Sequence, residues 1–465
     1  MTRIPRTLAV SLAALAVVIL GLAAPARAVP VFSRKYHTSC TTCHAIFPKL
    51  NPFGQAFRLN GYRMPGESEN PDLVKDKPVS LGAEAYKQMW PAAVWPSDVP
   101  SHAPVAINVK MANLYVSSHD DTGHSIVHND FQFPQEANLF AAGTLGDNFG
   151  FFSELTWSEN PDGSTETEIE HAQLNVNSPF GAPHLVNFKI GKFAPDYADG
   201  FQEMWIMTDN GIDTMFSYDP IGLHGGTGTS EEPLGIGLPA GVKGIEMYGV
   251  ANHRLFYTLG VVNGIGNGVN GTHDANSAKD FYGRIDYKFG GMGLDGDTTG
   301  VTVPAENWRE RSMRVGAFGY RGDGSNVPFD LTDDAGGAFT VEDRTFDRYG
   351  LYLSWYFDDL NVFGVVMRGT DRLRVTDLGA GTISNIDPNY DAWFVQADYV
   401  IKPPIQASLR YEQLRPGDPA APTQKVANAN LSFLVRANIK AMLEYNRDLS
   451  DSQNYQLSTV LRFAF

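Results

Sequence analysis

The chain has two cysteines in 465 residues, Cys40 and Cys43, so no disulfide framework holds it together. It has almost no long apolar runs. Only residues 8–24 approach one, and no later stretch reaches the length of a membrane-spanning helix. It lacks a basic excess: 36 Lys and Arg face 52 Asp and Glu, a formal charge of −16. That balance argues against nucleic acid and favours cationic partners. It also lacks a hydrolytic constellation. The glycine-rich pieces GTGTS and GIGNGV have neither the lysine nor the helix of a phosphate loop and read as loop tips.

What is present begins with a leader. Arg3 and Arg6 precede the apolar run, and Ala26-Arg27-Ala28 forms an A-x-A site. Residues 1–28 therefore read as a secretory signal peptide cleaved after Ala28. A retained anchor is the competing reading, but the run is short and the site is good. Loss of the leader removes Arg3, Arg6 and Arg27 and no acid, so the mature chain is more acidic still.

Two cysteines in an exported chain ordinarily form one disulfide. Here they are spaced C-x-x-C-H, over Cys40, Cys43 and His44. In the periplasm that pattern marks haem attachment, where each thiol adds to a haem vinyl group and the histidine ligates the iron. The thioredoxin-like alternative needs a βαβ context that is absent. The expected cofactor is one covalently attached haem c, bound by Cys40, Cys43 and His44, with His44 as the proximal iron ligand. The sixth ligand stays open. Met64 is the first candidate, since thioether ligation raises the potential of a c-type haem. Met89, His37, His102 and a water-bound or open position are the rivals. No catalytic residue is assigned.

The flanks suit a haem wrapper. Asn51-Pro52 reads as an N-cap with proline at the first helical position, and Asn60-Gly61 as a C-cap. A short helix is expected over 52–59, with Phe53, Ala56 and Phe57 on one face. Phe32, Phe47, Leu50 and Leu59 add apolar surface. In so small a segment the haem itself would be most of the core.

From about residue 104 the texture changes. Segments of about ten residues alternate apolar and polar between turn signals, as in outer-membrane barrels. Ile405, Ala407, Leu409 and Tyr411 alternate with Gln406, Ser408, Arg410 and Glu412. Strands are expected near 104–117, 131–143, 149–158, 167–177, 184–194, 243–251, 254–263, 279–289, 312–321, 346–357, 360–371, 391–402, 405–414, 424–435, 437–448 and 454–465. That even number puts both ends of the barrel on the periplasmic side. The stretches 195–242, 322–345 and 372–390 then fall outside as long loops. One link, 290–311, is long yet periplasmic, which calls for a missed hairpin or an excursion. The last segment, NYQLSTVLRFAF, is similar to the C-terminal signal read by the barrel-assembly machinery.

The expected fold is an all-β transmembrane barrel of about sixteen antiparallel strands. A small N-terminal α-helical c-type haem segment plugs its lumen. The divisions are 1–28 signal peptide, 29–78 monohaem cytochrome c segment, 79–103 connector and 104–465 outer-membrane β-barrel, surrounded by outer-membrane lipid.

The chain resembles the fused monohaem cytochrome–porins, the outer-membrane iron-oxidising cytochromes. The specific part is FSRKYHTSCTTCHAIFPKLNPFGQAFRLNGYRMPG, with haem attachment on Cys40, Cys43 and His44 and a downstream FG…F…GY pattern. The resemblance implies haem in the lumen, extracellular Fe(II) as donor and a periplasmic cytochrome or similar carrier as acceptor. The barrel itself carries no diagnostic motif. Two other readings stay open: the same conduit run outward, and a solute porin whose haem plug is structural or sensory. For a donor site, SHDDTGHSIVHND offers His119, Asp120, Asp121, His124 and His128 outside, although no spacing there matches a defined metal motif.

Overall fold

The computed structural model describes residues 31–65, 104–119, 124–145, 148–159, 163–197, 208, 223–225, 238, 241–264, 277–323, 329–333, 337–419, 421–450 and 454–465. The expected signal peptide, the connector 79–103, Met89, His102 and loop residues 120–123 lie outside them. No described helix is long and apolar enough to cross a membrane.

The described N-terminal segment is small and mixed. Helix α1 (Val31–Tyr36) leads to a 3-10 turn (Cys40–Thr42), a two-stranded hairpin of β1 (His44–Ile46) and β2 (Lys49–Leu50), and helix α2 (Pro52–Leu59). Helix α2 starts and stops for local reasons. Asn51 Oδ1 accepts from the Gly54 amide at 2.8 Å, and Pro52 occupies the first position. At the other end Gly61 turns left-handed at φ 63°, the Tyr62 amide donates to Phe57 O at 3.0 Å and the Gly61 amide to Arg58 O at 3.1 Å. Those two bonds satisfy carbonyls that the helix end leaves free.

The rest is strand. In order these are β3 (Val105–His119), β4 (Ser125–Leu145), β5 (Phe149–Glu159), β6 (Thr165–Asn177), β7 (Asn187–Phe193), β8 (Leu223–Gly225), β9 (Val242–Ala251), β10 (Leu255–Asn263), β11 (Lys279–Gly290), β12 (Glu310–Asp323), β13 (Phe329–Asp333), β14 (Ala338–Asp358), β15 (Leu360–Asp377), β16 (Thr382–Ile386), β17 (Asn389–Lys402), β18 (Ile405–Pro416), β19 (Gln424–Arg436), β20 (Ile439–Asp448) and β21 (Tyr455–Ala464). Every pairing is antiparallel. Strand β21 closes the ring on β3, with Tyr455 opposite Ser117 and Ala464 opposite Asn108. Phe465 extends the seam by exchanging two backbone bonds with Ile107. Short β8, β13 and β16 sit in extensions, because β7 pairs with β9, β12 with β14 and β15 with β17. Among the described residues the wall is thus sixteen strands.

The wall turns its charged and amide side chains inward, together with buried aromatics such as Tyr282, Phe318, Tyr352 and Phe394, and exposes apolar side chains on its outer face. Leu409 is 66% exposed and Arg410 beside it 4%; Phe281 is 54% exposed and Asp286 2%. This is the reverse of a water-soluble sheet. Inside, charges meet opposite charges: Asp286 takes Arg284 and Arg314, Asp371 takes Arg344 and Arg348, and Glu310 takes Lys288. Outside, Phe149, Phe289, Phe357, Tyr399 and Phe465 are exposed near the short-turn ends, an aromatic girdle at a membrane interface. A closed antiparallel ring satisfies every ladder bond without water, which a bilayer demands. The protein is a porin-like β-barrel of the bacterial outer membrane.

Two expectations need correction. The stretches 322–345 and 372–390 are not plain loops: β14 begins at Ala338, β15 runs to Asp377, and β16 folds back on it. Likewise β4 begins at Ser125, so His128 stands in the ladder opposite Val116 rather than in a loop. In the β14–β16 extension the alternation is inverted rather than lipid-like: Val341, Leu373 and Val375 are buried together on one face while Arg372 and Arg374 between them stand exposed on the other, and the backbone ladder continues. The long link at 291–309 holds no hairpin. It is an excursion at the short-turn end, folded onto residues 31–65.

Candidate haem-attachment site

Residues 31–65 lie inside the barrel at its short-turn, periplasmic mouth. Phe32, Tyr36, Phe57 and Tyr62 make their own small core, with Phe57 edge-on to Phe32 at 5.2 Å and to Tyr36 at 5.7 Å, and Tyr62 stacked on Phe32 at 5.2 Å. The wall supplies the rest. Leu59 packs with Tyr248, Val250, Phe256 and Leu294, and Tyr62 stacks on Phe152 at 5.9 Å. Lys49 is buried against Asp398, donates to Asn361 at 2.7 Å and sits over the Phe363 ring. Arg58 grips Asp196 through two bonds, at 2.8 and 3.1 Å, and Lys189 joins the same carboxylate at 2.7 Å. Burial opposes charge on Asp196, but the Arg58 and Lys189 cations outweigh it and hold its pKa far below the usual carboxylate range.

The cysteine turn is built at the centre of this segment. Ser39 caps it by accepting from the Thr41 amide at 3.3 Å, and the Cys43 amide donates to Cys40 O at 3.2 Å. One helical turn thereby brings Cys40 and Cys43 close together. Both are free thiols and half-buried. Burial pushes both thiols up, Cys43 to about 12 with Cys40 adding to it.

Asn51 ties the turn to helix α2. Its amide donates to Cys43 O at 2.9 Å, its side chain donates to Thr42 O at 3.0 Å, and its Oδ1 caps the helix. The helix then packs so closely that a Cβ on Gly54 would stand 2.0 Å from Cys43 O. From the excursion, Asn307 donates to Thr41 O at 2.9 Å and Thr42 O at 2.8 Å. Sequence reasoning flagged Asn51 as a cap, but neither the Gly54 contact nor Asn307. Only the folded register brings Asn307 back across more than 260 residues.

His44 follows the turn at the start of β1. Its Nδ1 lies 3.0 Å from Pro48 O, which makes Nδ1 the protonated nitrogen and leaves Nε2 as a lone-pair donor. Burial lowers its pKa, against the backbone bonds to Pro48 and Lys49, so the ring is neutral at neutral pH. Two free thiols one turn apart, followed by a neutral imidazole with Nε2 available, form a donor set that fits a haem c. Met64 is half-buried beyond α2, its carbonyl accepting from Asn60 at 3.1 Å. No hydrogen bond or ring contact joins Met64 to His44 among the described residues. His37 ends α1 at φ 51° and is exposed.

Neither a protein-family model nor a curated protein matches the sequence. Solved outer-membrane barrels match by fold. OmpF of Salmonella typhi, in complex with daunomycin, aligns over 78% of this chain and 97% of its own at 9% identity, with a TM-score of 0.49. The outer-membrane channel DcaP of Acinetobacter baumannii covers 78% and 96% at 13% identity and 0.48. An anion-selective porin from Comamonas acidovorans covers 78% and 99% at 11% identity and 0.47. The barrel assignment rests on the strand pairing above rather than on these likenesses.

Proposed function

We propose that the protein is an outer-membrane electron conduit of the fused cytochrome–porin kind. Cys40 and Cys43 would hold one haem c, His44 would offer Nε2 to its iron, and Met64 is the first candidate for a further ligand. Such a group supplies one-electron transfer. The most direct use is to pass electrons from extracellular Fe(II) to a periplasmic carrier. One observation carries the reading: the C-x-x-C-H turn is held inside the periplasmic mouth of a closed barrel. The chain's own residues do the rest. Pro48 orients His44, Asn51 and Asn307 hold the turn, and Lys49 and Arg58 lock the plug to wall carboxylates.

A solute porin with a structural or sensory plug is the second reading, favoured by the porin-like barrel and its charged lumen. The many plug–wall contacts at the mouth weigh against free solute flow. Purified protein in sealed proteoliposomes separates the two. The conduit requires a haem-stained band on a denaturing gel and reduction of an enclosed cytochrome by external Fe(II). Rapid sugar-driven swelling with no electron transfer would establish the porin instead.

A further inference from the structure

Strands β5 and β6 bring together ligand-type side chains outside the cysteine turn. Their register pairs Glu154 with His171 and then Leu155 with Ile169, leaving Glu170 as an extra residue. A β-bulge turns successive side chains toward one side, and here it draws Glu170 alongside His171. The ligand atoms of Glu154, Glu170 and His171 all lie within 4.8 Å of one another, with His171 Nδ1 3.0 Å from Glu154 Oε2. The group faces the lumen. Ile169 beside it is 54% exposed on the lipid side, while Phe152 and Gln173, on its own face, touch Tyr62 of the plug.

We propose that Glu154, Glu170 and His171 bind a divalent transition-metal cation in the lumen. Two carboxylates cancel the charge of a divalent ion, and a mixed oxygen and nitrogen set suits Fe(II), Mn(II) or Zn(II). Ligands at about 2.1 Å from one ion stand at most about 4.2 Å apart, so the trio closes on an ion with side-chain shifts of a few tenths of an ångström. The location connects the trio to the plug. The His171 ring lies edge-on to Phe152 at 5.7 Å, Phe152 stacks on Tyr62 at 5.9 Å and Tyr62 on Phe32 at 5.2 Å. Ser33, next in the chain, donates to Cys40 Sγ at 3.9 Å. A series of rings therefore runs from the trio to Phe32, whose chain neighbour Ser33 meets the cysteine turn. Fe(II) as the natural occupant rests on the conduit reading; cation binding does not.

The test uses the full chain in detergent, titrated calorimetrically with Mn(II), and separately with Zn(II). One site per chain is expected, weakened at least tenfold by Glu154→Gln or His171→Asn and abolished by Glu154→Gln with Glu170→Gln. The same titration on Cys40→Ala/Cys43→Ala protein should give the wild-type value, since the trio touches neither cysteine. Heat-modifiability on gels checks that each variant is folded. Wild type that takes up neither ion at millimolar concentration, or a double glutamine variant that binds as wild type does, overturns the site. Cation binding by a wild-type protein that carries no haem would sink the conduit and leave the site standing.

Discussion

The wall and the plug solve opposite problems with the same residue types. In the wall, Leu409 and Phe281 face lipid while Arg410 and Asp286 turn inward to oppositely charged or polar partners. In the plug, Phe57, Ala56 and Ile46 are buried as in any water-soluble protein. The wall is stabilised strand by strand through neighbouring ladders. The plug is too small to complete a core and finishes its burial on Tyr248, Phe152 and Asp398, which are distant in sequence. The difference teaches that one lumen serves as the solvent of both parts: it takes the wall's charges and supplies the plug's counter-ions.

The largest effect should come from breaking the wall. Deleting residues 455–465 removes β21 and with it the partners of both β20 and β3. No heat-modifiable band and no outer-membrane protein should remain in fractionated cells; a folded barrel without these residues would undo the closure argument. The converse experiment breaks the plug's chemistry alone. Cys40→Ala with Cys43→Ala should remove all covalent haem from a denaturing gel, yet leave the heat-modifiable barrel, because no wall strand depends on either thiol.

A finer cut separates plug from wall. Lys49→Ala leaves Asp398 buried without its cation and should cost about 3–5 kcal/mol of plug docking. Lys49→Met combined with Asp398→Leu should recover most of that loss. Limited proteolysis near residue 65, followed against urea, reads both; equal protection in wild type and Lys49→Ala would remove the pair from the account.

Acid should loosen the plug before the wall. Asp196 has a depressed folded-state pKa, so its contribution is complete above the unfolded value of about 3.9 and is lost as pH falls below it toward the depressed value. Hydrogen exchange in residues 52–63 should therefore quicken below about pH 4 while β17–β20 stay protected. Asp196→Asn should exchange faster at neutral pH and lose that dependence. The smallest effect is expected from Asn51→Ala. The lost cap costs about 1 kcal/mol, with a smaller addition for the lost bond to Thr42 O, which keeps its Asn307 donor, read as a lower urea midpoint of plug protection.

Much of this was legible in the chain, for reasons that differ by region. The alternation through Leu409–Glu412 and Phe281–Phe289 marks wall strands because membrane and lumen impose opposite demands on successive side chains. Helix α2 was legible to the residue, since Asn51, Pro52, Asn60 and Gly61 act within a few bonds of the ends they form. The extensions at Ala338, Asp377 and Ser125 were not, because outside the membrane the outward face is no longer required to be apolar.

By itself the sequence determined everything that depends on neighbours along the chain: the strand period, the caps of α2, the C-x-x-C-H spacing. Tertiary structure alone decided what meets across long separations. It put Asn307 on the cysteine turn, Asp398 on Lys49 and Asp196 on Arg58, and it used one unpaired residue in β6 to bring Glu170 beside His171. The physical reason is that side-chain order along a strand sets only which face a residue occupies. Which residue it faces across the lumen is set by closure of the ring and by the register of each ladder, and a single bulge in that register is invisible until the partner strand is in place.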